Sequence, residues 1–216
     1  MGLADEDLSK HNAEYNIGEW DSGNYDQPTD YATKILANLA LGNDPASYNE
    51  RDLIEGLTEL QQENGSFGGG ANNSVWSIIA LDGALAAGCE VSYELEKAVA
   101  FLISQQTADG GYTLMGDTGD PDMTGDVLLA LGRYKNVLEV SESIDRAVAF
   151  LKDIQLDTAG YASWGSENSQ SIAKVMVGLL AIGENPLDES WSKDGRTMVD
   201  ALLGFQLADN SFAFLA

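Results

Sequence analysis

The sequence predicts an all-helical protein of about four helix hairpins, in which apolar inner helices alternate with amphipathic outer helices. Three observations support this. A glutamine is followed six residues later by an aromatic residue four times, a stripe of apolar residues with helical spacing precedes each glutamine, and nearly uniform apolar segments follow. The four pairs are Gln61 and Phe67, Gln106 and Tyr112, Gln155 and Tyr161, and Gln206 and Phe212.

The spacing of the glutamines indicates a repeat. Successive glutamines are 45, 49 and 51 residues apart (61 to 106, 106 to 155, 155 to 206). That length accommodates two helices and two turns, so each unit is expected to be a helical hairpin.

The segment before each glutamine is predicted to be an outer helix. The positions 8, 7, 5, 4 and 1 residues before the glutamine are mostly apolar and form one helical stripe, with charged residues such as Arg146 and Lys152 between them. A helix with one apolar stripe has a solvent-exposed polar face and is expected in the outer layer. Ser92 and Ser141 are the expected N-caps of two of these helices.

The segments after the aromatics are predicted to be inner helices. Residues 75–87, 127–131 and 172–182 are apolar or small on nearly every side, which is typical of a buried helix, and residues 33–41 repeat this type. The order is therefore inner, then outer, four times, over a repeat domain at 27–216 preceded by an acidic lead-in at 1–26. Residues 212–216 stand where a fifth inner helix is expected, which indicates either a shortened domain or an apolar C-terminal end that self-associates.

The composition restricts the class of partner. The formal net charge of -24 repels nucleic acid and anionic lipid surfaces and favours cationic partners. No apolar stretch has the length of a membrane span, and this chain contains no recognisable signal peptide. Cys89 is the only cysteine and is expected to be a small buried residue.

The turn at residues 106–112 resembles the repeat of prenyltransferases and squalene cyclases, which joins a glutamine to a glycine and an aromatic residue between the outer and inner helices. Residues 119–124 and 164–169 look closer to a bacterial surface-protein version, related to the helical domain of cobalamin carriers. The resemblance spans about residues 28–212 and implies an α/α toroid, incomplete here because the family ring has six helix pairs. It also implies a secreted or cell-surface protein. Ala159-Gly160 and Asn210-Ser211 depart from the family's glycine pair.

The resemblance raises the alternative of a cyclase-like or prenyl-transfer enzyme, for which the residues are incomplete. The cyclase acid run is Asp-x-Asp-Asp, and here Asp120 and Asp122 lack the last carboxylate. Zinc normally needs three protein ligands, and only His11 and Cys89 are present as His or Cys. A second alternative is half of a corrinoid carrier, which would need a β-rich companion domain.

The turns before the inner helices carry the candidate binding residues. Polar and aromatic side chains there would form a concave rim: Asn72, Trp76, Tyr112, Asp120, Asp122, Trp164, Asn168 and Gln170. Calcium is a weak candidate at Asp117, Asp120, Asp122 and Asp126; the competing interpretation is helix capping and hairpin packing. The sequence therefore predicts a non-catalytic binding or scaffold module without a cofactor, for an unidentified small molecule or protein.

Overall fold

The computed structural model describes residues 25–215, and in that part of the chain the protein is mostly helical. The expected all-α class is confirmed. The helices are α1 (Pro28–Ala40), α2 (Leu53–Thr58), α3 (Ala71–Ala86), α4 (Leu95–Ser104), α5 (Pro121–Leu131), α6 (Leu138–Ile154), α7 (Ser169–Ile182) and α8 (Met198–Leu203). Short 3-10 helices occur at Pro45–Ser47, Gly132–Tyr134 and Glu189–Trp191, and β1 (Ala162–Ser163) pairs antiparallel with β2 (Ser166–Glu167). The predicted lead-in at 1–26 lies almost wholly outside the described residues.

Four helices, α1, α3, α5 and α7, lie side by side in chain order, and we call them the row helices. Each packs against the next. They run parallel, because Gly83 near the end of α3 lies against Leu36 and Leu39 in the second half of α1, and Gly132 after α5 lies against Ala181 near the end of α7. Their N-termini therefore share one end of the molecule, which we call the turn end.

The other four helices, α2, α4, α6 and α8, pack against the row and are called the flanking helices. Their apolar stripes face inward as expected. Leu57, Leu102 and Leu151 are fully buried, and Leu202 is half-buried. Burial of these stripes, at roughly 25 cal/mol per Å² of apolar surface removed from water, is what holds the flanking helices to the row.

The row helices are not equally buried. Nearly every residue of α5 is buried, as expected for a helix with neighbours on both flanks. Helix α7 differs, because Val177 and Leu180 are exposed opposite the fully buried Ile172 and Leu179. The expectation that inner helices are buried all round is therefore wrong for α7, which packs against α5 on one flank only.

Helix starts are set by side-chain caps at some positions and not at others. The Asp52 carboxylate accepts hydrogen bonds from the amides of Ile54 and Glu55, and Thr197 forms a capping box with Asp200. The expected caps Ser92 and Ser141 are wrong: α4 begins after Glu94 and α6 after Val137.

The turns that follow the four glutamines share one backbone conformation. The fourth residue after each glutamine has a positive φ: Gly65 (+90°), Gly110 (+91°), Ala159 (+68°) and Asn210 (+68°). In each turn, the residue directly after the glutamine donates its amide to the carbonyl four residues further on, over 2.7 to 3.1 Å. Ala159 and Asn210 therefore keep the turn although they replace glycine, at the modest strain that a left-handed residue carries.

Among the described residues, no helix combines the length and the hydropathy needed to cross a membrane.

Candidate functional site

The first three glutamines tie each turn to the next hairpin. Gln61 donates its side-chain amide to the carbonyl of Glu94 over 3.0 Å and accepts from the amide of the same residue over 2.8 Å. Gln106 donates to the carbonyl of Ser143 over 2.8 Å, and Gln155 donates to that of Trp191 over 2.9 Å. These side chains connect residues more than 30 positions apart in the sequence, so they act as joints between successive hairpins.

The aromatic residue of each of these three turns belongs to the core. Phe67, Tyr112 and Tyr161 are at most 1% exposed. In the fourth turn the backbone is the same, but Phe212 is 45% exposed and Gln206 is also exposed. The difference lies in what covers the turn, since no flanking helix of the described residues follows α8.

Tyr112, a candidate ligand-binding residue, is a packing residue in this fold. Its hydroxyl lies 2.6 Å from the Ser143 hydroxyl, and its ring is fully buried. Burial raises the pKa of Tyr112, while the hydrogen bond with Ser143 partly opposes that shift. The ring therefore has no surface that a ligand could contact.

Two further candidates cap row helices. Asp120 accepts from the amide of Met123 over 2.9 Å at the start of α5, and Asn168 accepts from the amide of Ser171 over 2.8 Å at the start of α7. Both side chains satisfy amides that a helix N-terminus leaves unpaired. The competing interpretation of helix capping accounts for these two residues.

The remaining carboxylates before and within α5 do not converge. Asp126 is buried and accepts from the Lys174 ammonium group of α7 over 2.6 Å. Burial raises the pKa of Asp126, and the hydrogen bond and positive charge of Lys174 offset part of this rise. Asp122 is half-buried, whereas Asp117 is exposed. In residues 25–215 no group of three or more His, Cys, Asp or Glu side chains is placed to hold a metal ion.

Asn72 and Trp76 lie together in a groove between the first two row helices. Thr29, Thr33 and Leu36 of α1 form its other wall, and its volume is about 440 Å³. Both Asn72 and Trp76 are half-buried, so their side chains combine packing with access to solvent.

Trp164 is the most exposed large apolar residue of the described chain. It is 80% exposed at the tip of the β1–β2 hairpin, where it has a φ of +55° and precedes Gly165. Met115 (69% exposed) and Leu114 (53%) lie in the loop before α5. Because α5 and α7 are adjacent and parallel, this loop and the hairpin both lie at the turn end, where β1 also contacts α5. Gln170, in the first turn of α7, is exposed near them.

Leu114 and Met115 were not predicted from the sequence as exposed residues of this site.

The uneven distribution of charge along the sequence was also overlooked in the sequence analysis. Residues 52–96, 98–132, 153–173 and 197–216, which include all four turns, contain no Lys or Arg. The turns carry acidic residues, among them Asp109, Asp117 and Glu167. Burial raises the pKa of Asp109 slightly, but hydrogen bonds from Thr107 and from the amides of Gly119 and Gly111 outweigh it, so the pKa lies below its usual value.

A polar network at the opposite end joins α3 to the residues after α5. Both oxygens of Asp82 accept from the Tyr134 hydroxyl, over 2.6 and 2.7 Å, and Arg133 donates to the Asp82 carbonyl over 3.2 Å. Burial raises the pKa of Asp82, and the hydrogen bond from Tyr134 and the charge of Arg133 lower it in part. This network fixes the register of two row helices and was not evident from the sequence.

A scan of protein-family models found no match to the chain, and a search of curated protein sequences found none either.

Proposed function

We propose that this chain is a non-catalytic binding module of a secreted or cell-surface protein, and that it recognises a basic polypeptide segment at its turn end. In this proposal the row helices are the inner layer, and the flanking helices the outer layer, of an incomplete α/α toroid of about four hairpins. The turns then stand on one rim of the arc.

The observation that carries the proposal is that Trp164, Leu114 and Met115 are all exposed in loops at the turn end. Large apolar residues that protrude together from short, structured loops are typical of contact sites between proteins. An exposed indole also attracts a lysine or arginine side chain placed over its ring, with about 0.5 to 1 kcal/mol per contact at exposed sites.

The acidic residues around the exposed loops favour a partner with positive charge. The loop before α5 and the β1–β2 hairpin contain Asp117 and Glu167, and residues 98–132 and 153–173 contain no cation. A basic segment would approach this surface with favourable long-range attraction, and an acidic one would be repelled.

The structural partners of two carboxylates at the turn end, Asp120 and Asp126, support binding rather than catalysis by these residues. Asp120 is engaged in capping α5, and Asp126 is held by Lys174. A general acid must be free to give its proton to a substrate, and these two carboxylates have structural partners instead.

Titration calorimetry with a defined peptide tests the proposal. The probe is a nine-residue peptide of three Lys-Phe-Lys units, and the control peptide has three Glu-Phe-Glu units. We expect binding of the basic peptide only, weakened about five-fold by Trp164→Ala, which is about 1 kcal/mol. The matched control Leu138→Ala removes another exposed apolar side chain (68% exposed) from α6 and should leave the affinity unchanged.

The salt dependence separates specific recognition from general charge attraction. Binding should weaken between 20 and 150 mM NaCl and remain measurable at the higher value, because the apolar contact with Trp164 is not screened. The proposal fails if no heat is detected at 1 mM peptide in 20 mM NaCl. It fails equally if Trp164→Ala binds as tightly as the unmodified protein.

A further inference from the structure

The groove between α1 and α3 is lined by one face of each helix. Thr29, Thr33 and Leu36 lie about one turn apart along α1, and Asn72 and Trp76 lie one turn apart along α3. The groove volume of about 440 Å³ falls within the range of small-molecule sites, which is roughly 300 to 1,000 Å³. Both walls are helical, so a ligand would bind here without having to order a loop.

Trp76 supplies the apolar surface of this groove. Part of its indole packs against the core, and the rest is accessible. The other described tryptophans differ from it. Trp191 is fully buried and donates its indole N–H to Glu184 over 3.2 Å, and Trp164 protrudes from the tip of a hairpin. A half-buried indole in a groove offers an apolar ring and a polar N–H group in the same place.

The polar groups of the groove are uncharged and in part unpaired. Within residues 25–215, neither the side-chain amide of Asn72 nor the indole N–H of Trp76 has a hydrogen-bond partner. Thr33 donates its hydroxyl to the carbonyl of Thr29 over 2.7 Å, and the hydroxyl oxygen can still accept a hydrogen bond. The groove therefore presents donors and acceptors to a ligand without presenting a charge.

These features restrict the class of ligand. A wholly apolar molecule would cover the Asn72 amide without replacing its hydrogen bonds to water, which is unfavourable. A charged molecule would find no side chain of opposite charge in the lining, and an anion is in addition repelled by the net charge of -24. The ligand class that fits is a neutral molecule that has both an apolar face and several hydroxyl groups.

We infer that this groove binds a neutral sugar ring. The C–H groups on one face of the sugar lie against the electron-rich face of the Trp76 ring, and its hydroxyl groups bond with Asn72 and the two threonines. The site is separate from the exposed surface around Trp164, because the β1–β2 hairpin precedes α7 whereas the groove lies between α1 and α3. It does not depend on the proposed recognition of a basic segment.

A sugar titration followed by the indole N–H signals in proton–nitrogen correlation spectra tests this site. The variants Trp76→Phe and Trp164→Ala identify two of the indole signals by their loss. The probes are the methyl glycosides of glucose, galactose and mannose, each added up to about 100 mM. We expect at least one of them to shift the Trp76 signal and not the Trp164 signal. The dissociation constant should be about 1 to 10 mM, as is typical of so small a ligand in an open groove.

Two neighbouring asparagines provide a matched pair of variants. Asn72 lines the groove, whereas Asn73 is also half-buried on α3 but does not line it. Asn72→Ala should weaken sugar binding about five-fold, which is the effect of one hydrogen bond, and Asn73→Ala should leave it unchanged. Thermal melts check that both variants are folded. This is expected because neither side chain has a hydrogen-bond partner in residues 25–215.

The inference is overturned if none of the three glycosides shifts the Trp76 signal. It is overturned as well if Asn73→Ala weakens binding as much as Asn72→Ala. Tighter binding of cyclohexanol, which has a similar ring but a single hydroxyl group, than of every glycoside would also overturn it. The basic peptide should shift the Trp164 signal and leave that of Trp76 in place, so the sugar site and the peptide site are tested independently.

Discussion

Gly125 in α5 is a position at which a single added methyl group should push two row helices apart. A Cβ added to Gly125 would lie 2.6 Å from the carbonyl oxygen of Lys174 and 2.7 Å from its carbonyl carbon, both in the backbone of α7. Backbone atoms cannot move aside as a side chain can, so α7 would have to shift by about 0.7 Å to restore ordinary contact. Overpacking of this kind costs about 1 to 3 kcal/mol. Alanine recovers about 1 kcal/mol of helix propensity, which leaves a net loss of about 0 to 2 kcal/mol.

At Gly83 in α3, the same glycine-to-alanine substitution should have the opposite effect on stability. Its added Cβ would lie 3.4 Å from a Leu39 methyl group and 3.6 Å from one of Leu36, which is ordinary contact with flexible side chains. Gly83→Ala should therefore stabilise the protein by about 0.5 to 1 kcal/mol through helix propensity alone.

Urea and thermal unfolding of the two variants measure this pair of effects. For a chain of this length, 1 kcal/mol corresponds to about 2 to 4 °C in Tm. Gly125→Ala should lower Tm and Gly83→Ala should raise it. If Gly125→Ala is as stable as Gly83→Ala, the added methyl group meets no backbone, so the close packing of α5 on α7 does not exist and the arrangement of the row helices is wrong.

Three other substitutions test named contacts. Lys174→Met leaves the buried Asp126 carboxylate unpaired and should lower the free energy of unfolding by about 3 kcal/mol at pH 7. Burial raises the pKa of Asp126 in the folded state, so protonation of Asp126 favours folding. Urea unfolding should therefore show that this loss becomes smaller as the pH falls from 7 towards 4. Gln155→Ala removes a buried side chain that connects two hairpins and should lower the free energy of unfolding by about 1 to 3 kcal/mol. Gln206→Ala, in the exposed fourth turn, should change it by less than about 0.5 kcal/mol. Equal losses would contradict the conclusion that Gln155 connects hairpins and Gln206 does not. Tyr112→Phe should lower the free energy of unfolding by about 1 kcal/mol and leave the affinity for the peptide unchanged. A loss of affinity in calorimetry would show that Tyr112 contributes to binding.

The features that the sequence predicted well are those that local interactions determine. The turns after the glutamines depend on a left-handed residue four positions on and on short-range hydrogen bonds, so the spacing from Gln61 to Phe67 was sufficient to locate them. The apolar stripe that includes Leu102 likewise depends only on helical periodicity.

The features that the sequence predicted poorly depend on which element covers which. Tyr112 and Phe212 occupy equivalent positions in the repeat, yet Tyr112 is buried under the next hairpin and Phe212, in the last turn of the described residues, is exposed. Ser141 has the composition of a cap, but the buried Val140 extends α6 by a turn and places that serine inside the helix.

The candidate site was predicted in part. Asn72, Trp76 and Trp164 are accessible at or near the turn end, whereas Asp120 and Asn168 are capping residues. In a sequence, a carboxylate or amide residue before a helix is equally consistent with helix capping and with ligand binding. Only its hydrogen-bond partner in the structure distinguishes the two roles.

Hydrogen–deuterium exchange with and without the basic peptide tests the proposed recognition at the turn end most directly. At micromolar protein, the peptide should slow exchange in residues 113–119 and 162–167 and leave residues 183–197, at the opposite end of α7, unchanged. Slowed exchange centred on residues 183–197, or no change in either loop at saturating peptide, would contradict recognition through Trp164 and its neighbours.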